Sequence, residues 1–209
     1  MSNICIKSDF LDYYDILNDE KSNIIYNRYL CESVQRGTAL KYLRSLGIKT
    51  LELKQVNKFF RDEGPLVVYT NPKAHNGAGK KILTVDEAIQ SYENCIASRY
   101  YQTEGNYTIK YLQVGKRRFT LCFKRNSNIS LELGQLVDVK ESLPEYNRII
   151  SKPIFSIDYI SNGREMIATD FNEVQNLSLI GFDAYMKPTE VINEISESLT
   201  IYNKLEVIK

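Results

Sequence analysis

Apolar positions along the chain recur at two different periods. From Val34 to Leu46 they fall at Val34, Ala39, Leu40, Leu43 and Leu46, the spacing of one helix face, and Gly47 follows as a C-cap. A second helix is expected over Val85–Glu93, because Thr84 supplies an N-cap and Glu87 completes a capping box three residues later. Short apolar or alternating runs predict strands at Ile4–Lys7, Leu66–Thr70, Lys81–Leu83, Cys95–Tyr101, Tyr107–Val114, Arg117–Lys124, Leu131–Lys140, Ile154–Ile160 and Glu165–Asn172. Gly115-Lys116 is a hairpin turn pair between two of them. Ile48–Phe60 reads as a strand and a helical turn, Leu143–Ile150 as a short helix, and Thr189 opens a last helix that runs to Tyr202. Helices and strands interleave, yet several strands are joined by hairpins. That is an α+β layout with antiparallel sheet, not a doubly wound parallel fold.

Composition narrows the function classes. With 209 residues, 43% hydrophobic and 25% charged, the chain can bury a core without disulfides or a structural metal. A net charge of +1, from 27 basic and 26 acidic residues, argues against general nucleic-acid or membrane-surface binding. Cys5, Cys31, Cys95 and Cys122 are widely spaced and His75 is the single histidine, so a structural zinc site is not expected. The cysteines read as reduced, buried thiols. No signal peptide and no apolar run near ~18 residues is present, which predicts a cytoplasmic protein.

The chemistry concentrates in Ile157–Asn172. Side chains alternate along a strand, so Asp170 and Asn172 share one face and Phe171 takes the other. Asp158 interrupts the apolar run from Ile154 to Ile160, and a buried carboxylate needs a partner. No basic residue on its own strand is spaced to meet it. A cation held jointly by Asp158, Asp170 and Asn172 would satisfy all three groups. Hard oxygen donors of this kind suit Mg²⁺ or Mn²⁺ and leave positions open for phosphate oxygens. The register decides whether they meet. An odd loop centred on Arg164, either Gly163–Glu165 or Asn162–Met166, sets Asp158 across from Asp170. A two-residue turn on Asn162-Gly163 would throw them to opposite faces.

An Asp on one strand, an acidic residue twelve positions on and an Asn two further resemble the metal motif of ATP-grasp proteins, in particular the C-terminal catalytic part of ribosomal-protein glutamate ligases. The second ligand is usually Glu there, and Asp170 is a shorter arm. The likeness extends back to Leu66: a strand (Val67–Thr70), a glycine-bearing loop (Asn71–Lys81), a capped helix, a hinge strand (Ala97–Tyr101) and a hairpin (Tyr107–Arg125). The Lys187–Ile192 helix start is similar to the family's end. The resemblance implies two small α+β subdomains with antiparallel sheets around a nucleotide cleft, divided as a reduced N-terminal region at 1–62, a lid at 63–101 and a C-terminal subdomain at 102–209. It implies phosphate-covering roles for Gly77, Gly79 and Lys80, with Lys73 as the nearest replacement for a strand lysine that is missing at Val68-Tyr69-Thr70. It places adenine against the backbone near Arg99, Tyr100 and Tyr101, and phosphate or acyl-phosphate contacts at Lys110, Lys124 and Arg125. Lys80 and Arg125 would be the catalytic cations. The motif order, including Ser8-Asp9-Phe10 and Asp12-Tyr13-Tyr14-Asp15, is also similar to that of small phage-encoded proteins, which would put the chain in a host cytoplasm.

Three readings stay open at this level. The first is an ATP- and Mg²⁺-dependent carboxylate–amine ligase that forms an acyl phosphate from a small-molecule or peptide carboxylate. The second is a catalytically inactive nucleotide-binding protein, and the third a structural or host-interaction protein in which the Asp158 hairpin is plain surface. Homodimerisation is left open. On plainer readings His75 is a loop residue, Lys116-Arg117-Arg118 a solvated turn, Asp9, Asp12 and Asp15 a helix start, and Gly77–Lys80 an ordinary turn. Replacing Asp158 or Asp170 by Asn is expected to remove Mg-nucleotide binding with little loss of folding.

Overall fold

A computed structural model of the chain describes residues 36–71, 79–103, 105–126, 134–141, 154–161, 164–172 and 181–187, with 189–191, 193–195 and 197 of a closing helix. The elements expected at Ile4–Lys7 and Leu143–Ile150 lie outside these residues, as do Cys5, Cys31 and most of the glycine-bearing loop.

Helix α1 spans Arg36–Ser45 and buries Ala39, Leu40 and Leu43, the stripe that the spacing predicts. It ends as a Schellman motif: Gly47 takes φ 82°, its N–H donates to Arg44 O, and Ile48 N–H donates to Leu43 O. Strand β1 (Lys54–Gln55) and two short 3₁₀ turns follow, then β2 (Leu66–Tyr69) and β3 (Lys80–Leu83). Helix α2 (Val85–Tyr92) begins on the expected capping box, with Glu87 N–H donating to Thr84 Oγ1 and Thr84 N–H to Glu87 Oε2. Strand β4 is Ile96–Arg99. These four strands form one antiparallel sheet in the order β1-β4-β2-β3. Its Leu66, Val68 and Ala97 face packs on Val56, Phe59, Val85 and Ala88. Lys54–Gln55, on the N-terminal side of the expected 62/63 boundary, pairs with β4 and so lies in this sheet.

The second sheet has the order β7-β6-β5-β8-β9 and is also antiparallel throughout. Its strands are β5 (Tyr107–Val114), β6 (Arg117–Lys124), β7 (Gln135–Glu141), β8 (Ile154–Ser161) and β9 (Met166–Asn172). One face, carrying Tyr111, Phe155, Ile157, Tyr159 and Phe171, packs on α1 to form the main core. The other carries Leu112, Phe119, Leu121 and Phe123, all buried, and Phe182 meets Phe119 edge-to-face at 4.9 Å between centroids. The fold is thus α+β with two antiparallel sheets, as expected. Among the described residues no helix is long and apolar enough to cross a membrane. Cys95 and Cys122 are unpaired and half-buried, less enclosed than their apolar settings suggest.

Two glycines separate conformational freedom from packing. Gly47 and Gly115 both have positive φ, 82° and 58°. A Cβ at Gly47 would meet nothing within 4 Å, whereas one at Gly115 would collide with the Glu194 backbone of the closing helix. Gly47→Ala is expected to lower stability by about 1 kcal/mol, the left-handed penalty alone. Gly115→Ala should lose at least about twice that, because the closing helix must shift. Urea midpoints at constant slope measure both, and equal losses would contradict the tight docking of that helix.

Candidate active site

The β8–β9 hairpin brings the two expected carboxylates together by a different route from the one the loop length suggested. Ser161 pairs with Met166, which leaves four residues in the connection, an even number. A regular ladder from that start would set Asp158 opposite Thr169 and send Asp170 to the core face. Instead the register shifts: Tyr159 pairs with Ala168, Asp158 pairs with Asp170, and Thr169 is the extra residue of a β-bulge. The odd loop centred on Arg164 is therefore corrected, while the juxtaposition it was meant to produce is present. The bulge also returns Phe171 to the core and Asn172 to the face of Asp170, opposite Ser156.

The bulge is held from three directions. Thr169 Oγ1 donates to Asp158 O at 3.2 Å. The segment after α1 runs alongside, with Ala168 N–H donating to Lys49 O and Leu51 N–H to Ala168 O, both at 2.9 Å. Arg36, at the start of α1, donates from Nη1 to Thr169 O at 2.9 Å and from Nη2 to Asp170 Oδ2 at 2.9 Å. The backbone group freed by the bulge is thus satisfied by a side chain more than a hundred residues earlier.

Cations surround the carboxylates. Lys110, on β5 and almost fully buried, lies opposite Asp158 and forms an ion pair with its Oδ1. Lys110, Asp158 and Asp170 form one row across β5, β8 and β9. The expectation that Asp158 had no basic neighbour considered its own strand only; the neighbouring strand supplies one. Asp158→Asn will therefore weaken the partner of a buried ammonium, so its folding is less insulated than expected. From the first sheet, Lys80 reaches the same place. Burial holds its ammonium below the usual lysine range and Arg36 adds repulsion, while Asp170 and Asp158 oppose both. Burial pushes the Asp170 carboxyl above the usual carboxylate range; Arg36 resists this and Asp158 adds to it. Tyr69, paired with Lys80 across β2–β3, presents its ring to the Arg36 guanidinium at 5.2 Å and the Lys80 ammonium at 6.0 Å.

The arrangement of two antiparallel sheets is similar to that of solved ATP-grasp ligases. PsnB, an ATP-grasp ligase complexed with a minimal precursor, matches at a TM-score of 0.56 with 6% identity over 88% of this chain and 66% of that one. A RiPP-associated ATP-grasp ligase from Chryseobacterium gregarium, in complex with ADP and a leader and core peptide, matches at 0.55 with 13% identity over 79% and 59%. The D-alanine–D-alanine ligase of Bacillus anthracis complexed with ATP matches at 0.50 with 15% identity over 81% and 66%. The fold is ATP-grasp. This chain spans just under two thirds, or less, of the length of each of those ATP-grasp proteins. No family profile and no curated protein matches the sequence.

Within the ATP-grasp framework the other expected residues are scattered. The base of the glycine-bearing loop is tied down by Gly79 O, which accepts from Thr70 N–H, Asn71 N–H and Thr70 Oγ1. Lys73, His75 and Gly77 lie outside the described residues. Arg99 is exposed and pairs with Glu63, which holds that carboxyl below its usual range; its side chain is on the α2 face of the sheet. Tyr100 N–H donates to Pro65 O, and Tyr101 packs against the main core. Arg125 is buried, donates to Thr103 Oγ1, and ties its own N–H to Asn106 O. Lys124 is exposed, three positions from Leu121 on β6, and so faces away from Lys110. The cation group around the carboxylates is thus Arg36, Lys80 and Lys110, and sequence reasoning missed Arg36. Nothing local marks it, since its partners are all remote in the chain.

Among the described residues no group of three His, Cys, Asp or Glu side chains is placed to hold a metal. Asp158 and Asp170 pair across β8–β9 with Asn172 two positions along on the same face, two carboxylates and an amide of the hard-oxygen kind that Mg²⁺ or Mn²⁺ takes. Both carboxylates are half-buried and already paired, Asp170 with Arg36 and Asp158 with Lys110, so a metal would compete with those cations.

The position of Lys80 gives a pH test. The folded chain binds its proton more weakly than the unfolded chain does, so the charged form subtracts from stability at neutral pH. That loss fades as pH rises through the folded value towards the unfolded one, about 10.4. Lys80→Met is expected to raise the urea midpoint at pH 7, with the gain shrinking towards pH 10 to 11. A loss of stability at pH 7 would contradict the buried placement.

Proposed function

We propose that the chain binds ATP with Mg²⁺ or Mn²⁺ between its two sheets and uses it for carboxylate–amine ligation through an acyl phosphate. The observation that supports this reading is the register-matched pair Asp158 and Asp170, set among Lys110, Arg36 and Lys80 in an ATP-grasp fold. The solved ATP-grasp ligases of similar fold make the ligase class the natural assignment.

Asp158, Asp170 and Asn172 would hold the divalent ion, which would supply positive charge to offset the charge that develops on the phosphate groups. A substrate carboxylate oxygen attacks the γ-phosphorus, the bond to the ADP oxygen breaks, and ADP leaves. Lys80, brought from the other sheet, neutralises the transferring phosphoryl group. An amine nitrogen then attacks the acyl carbon, phosphate departs with the C–O electron pair, and the nitrogen loses its proton. The loop anchored at Gly79 O would cover the phosphates and limit water. Arg125, expected as the second catalytic cation, is buried against Thr103 and would brace the hinge.

A second reading, nucleotide binding without ligation, is favoured by one observation: Tyr69 occupies the strand before the loop where a lysine is expected. ADP release separates the two. The ligase predicts ADP only when a carboxylate and an amine acceptor are both supplied, and the binding protein predicts Mg-dependent affinity with no ADP. Asp170→Asn and Asp158→Asn are each expected to abolish Mg-nucleotide binding in calorimetry, with urea midpoints recorded alongside to correct for folding. Wild-type affinity in both variants would refute the site.

A further inference from the structure

Arg36 makes the cation group unusual, because α1 contributes it from outside both sheets. Among the described residues its guanidinium meets the Thr169 carbonyl, the Asp170 carboxylate and the ring of Tyr69. The first two belong to one sheet and the third to the other. Tyr69 is 8% exposed and stands at the end of β2, on the face it shares with Lys80, Val67 and Ser98 rather than the α2-facing side. Two cations therefore rest on one aromatic ring at the end of the strand that precedes the glycine-bearing loop.

Charge counting points the same way. Among the described residues Arg36, Lys80 and Lys110 face two carboxylates, a surplus of positive charge. Lys80 already feels the repulsion of Arg36. Asp170 Oδ2 sits 2.9 Å from Arg36 Nη2, and a divalent ion on the same carboxylate would compete with the guanidinium for it. A displaced guanidinium needs another anion within its reach. Its planar fork suits two oxygens of a phosphate better than a lysine ammonium does.

Building on the nucleotide reading above, we propose that Arg36 is a phosphate-binding residue: it rests on Asp170 when the cleft is empty, and turns to phosphate when Asp170 takes up a divalent ion. Tyr69 is the positioning residue that keeps the guanidinium at the cleft through the exchange. The simpler role, a clamp on the Thr169 bulge, is already visible, and the test must separate the two.

Calorimetry on the full chain provides it, using a non-hydrolysable ATP analogue with Mg²⁺, adenosine, and Mn²⁺ alone. Arg36→Gln is expected to weaken the analogue by about 10- to 100-fold, the range for a lost charged hydrogen bond. Adenosine affinity should stay unchanged and Mn²⁺ alone should bind more tightly, since its competitor is gone. Arg36→Lys should retain part of the analogue affinity, and Tyr69→Leu should weaken the analogue while leaving adenosine unchanged. Arg36→Gln with wild-type affinity for the analogue overturns the proposal and leaves Arg36 as a clamp. An equal loss for adenosine and analogue, with a lowered urea midpoint, overturns it too, as structural damage. Absence of nucleotide binding in the wild type overturns the nucleotide reading itself and this inference with it.

Discussion

The geometry of the site depends on a single displaced residue, Thr169. By standing outside the β8–β9 ladder it shifts the register so that Asp158 faces Asp170 while Phe171 still enters the core. Without that shift a regular ladder would turn Asp170 into the core and Phe171 out of it. Ala168 and Phe171 both pack in the main core although they stand three positions apart, which strict alternation along a strand forbids without an irregularity. The bulge is that irregularity, and the remaining architecture keeps the bulge in place.

That support comes from the N-terminal side of the described chain. The Schellman end at Gly47 turns the chain so that Lys49–Leu51 runs beside Ala168, and Arg36 at the other end of α1 takes the Thr169 carbonyl. Helix α1 is thereby both the lid of the main core and the brace of the site. Its buried stripe of Ala39, Leu40 and Leu43 links packing energy to functional geometry, because loosening that stripe would release Arg36 and the bridge to Ala168 together. The first sheet meets it through the Tyr69 ring, on which Arg36 and Lys80 rest, and through Leu53 and Tyr101, which pack against the main core.

Local signals carried far in the sequence, and long-range ones did not. The β5–β6 hairpin, the Thr84–Glu87 capping box and the Gly47 cap were legible because each is decided within a few residues. Asp158, Asp170 and Asn172 were legible as a set because a polar residue inside an apolar run is conspicuous. The four-residue connection and its compensating bulge were not, since the extra residue is fixed by contacts with residues 36 to 51 and not by turn chemistry. Lys110 was read as a phosphate contact; that its partner is Asp158 depends on which strand β5 pairs with. Arg36 left no local trace, being 133 positions from the carbonyl it binds. Arg99 and Lys124 follow from analogy of order; the Arg99 side chain leaves on the α2 face of its sheet and Lys124 on the face away from Lys110, while the adenine expectation concerns only the backbone near Arg99–Tyr101.

The most direct test is a crystal of the full chain grown with Mn²⁺ and a non-hydrolysable ATP analogue, measured for anomalous scattering. The account predicts one strong manganese peak within about 2.0–2.3 Å of oxygens from Asp158 and Asp170, the range for a hard divalent ion. Nucleotide density would extend from it towards Lys80. A fully occupied nucleotide whose manganese lies elsewhere, or bound analogue with Asp158 and Asp170 still held only by Lys110 and Arg36, would contradict it.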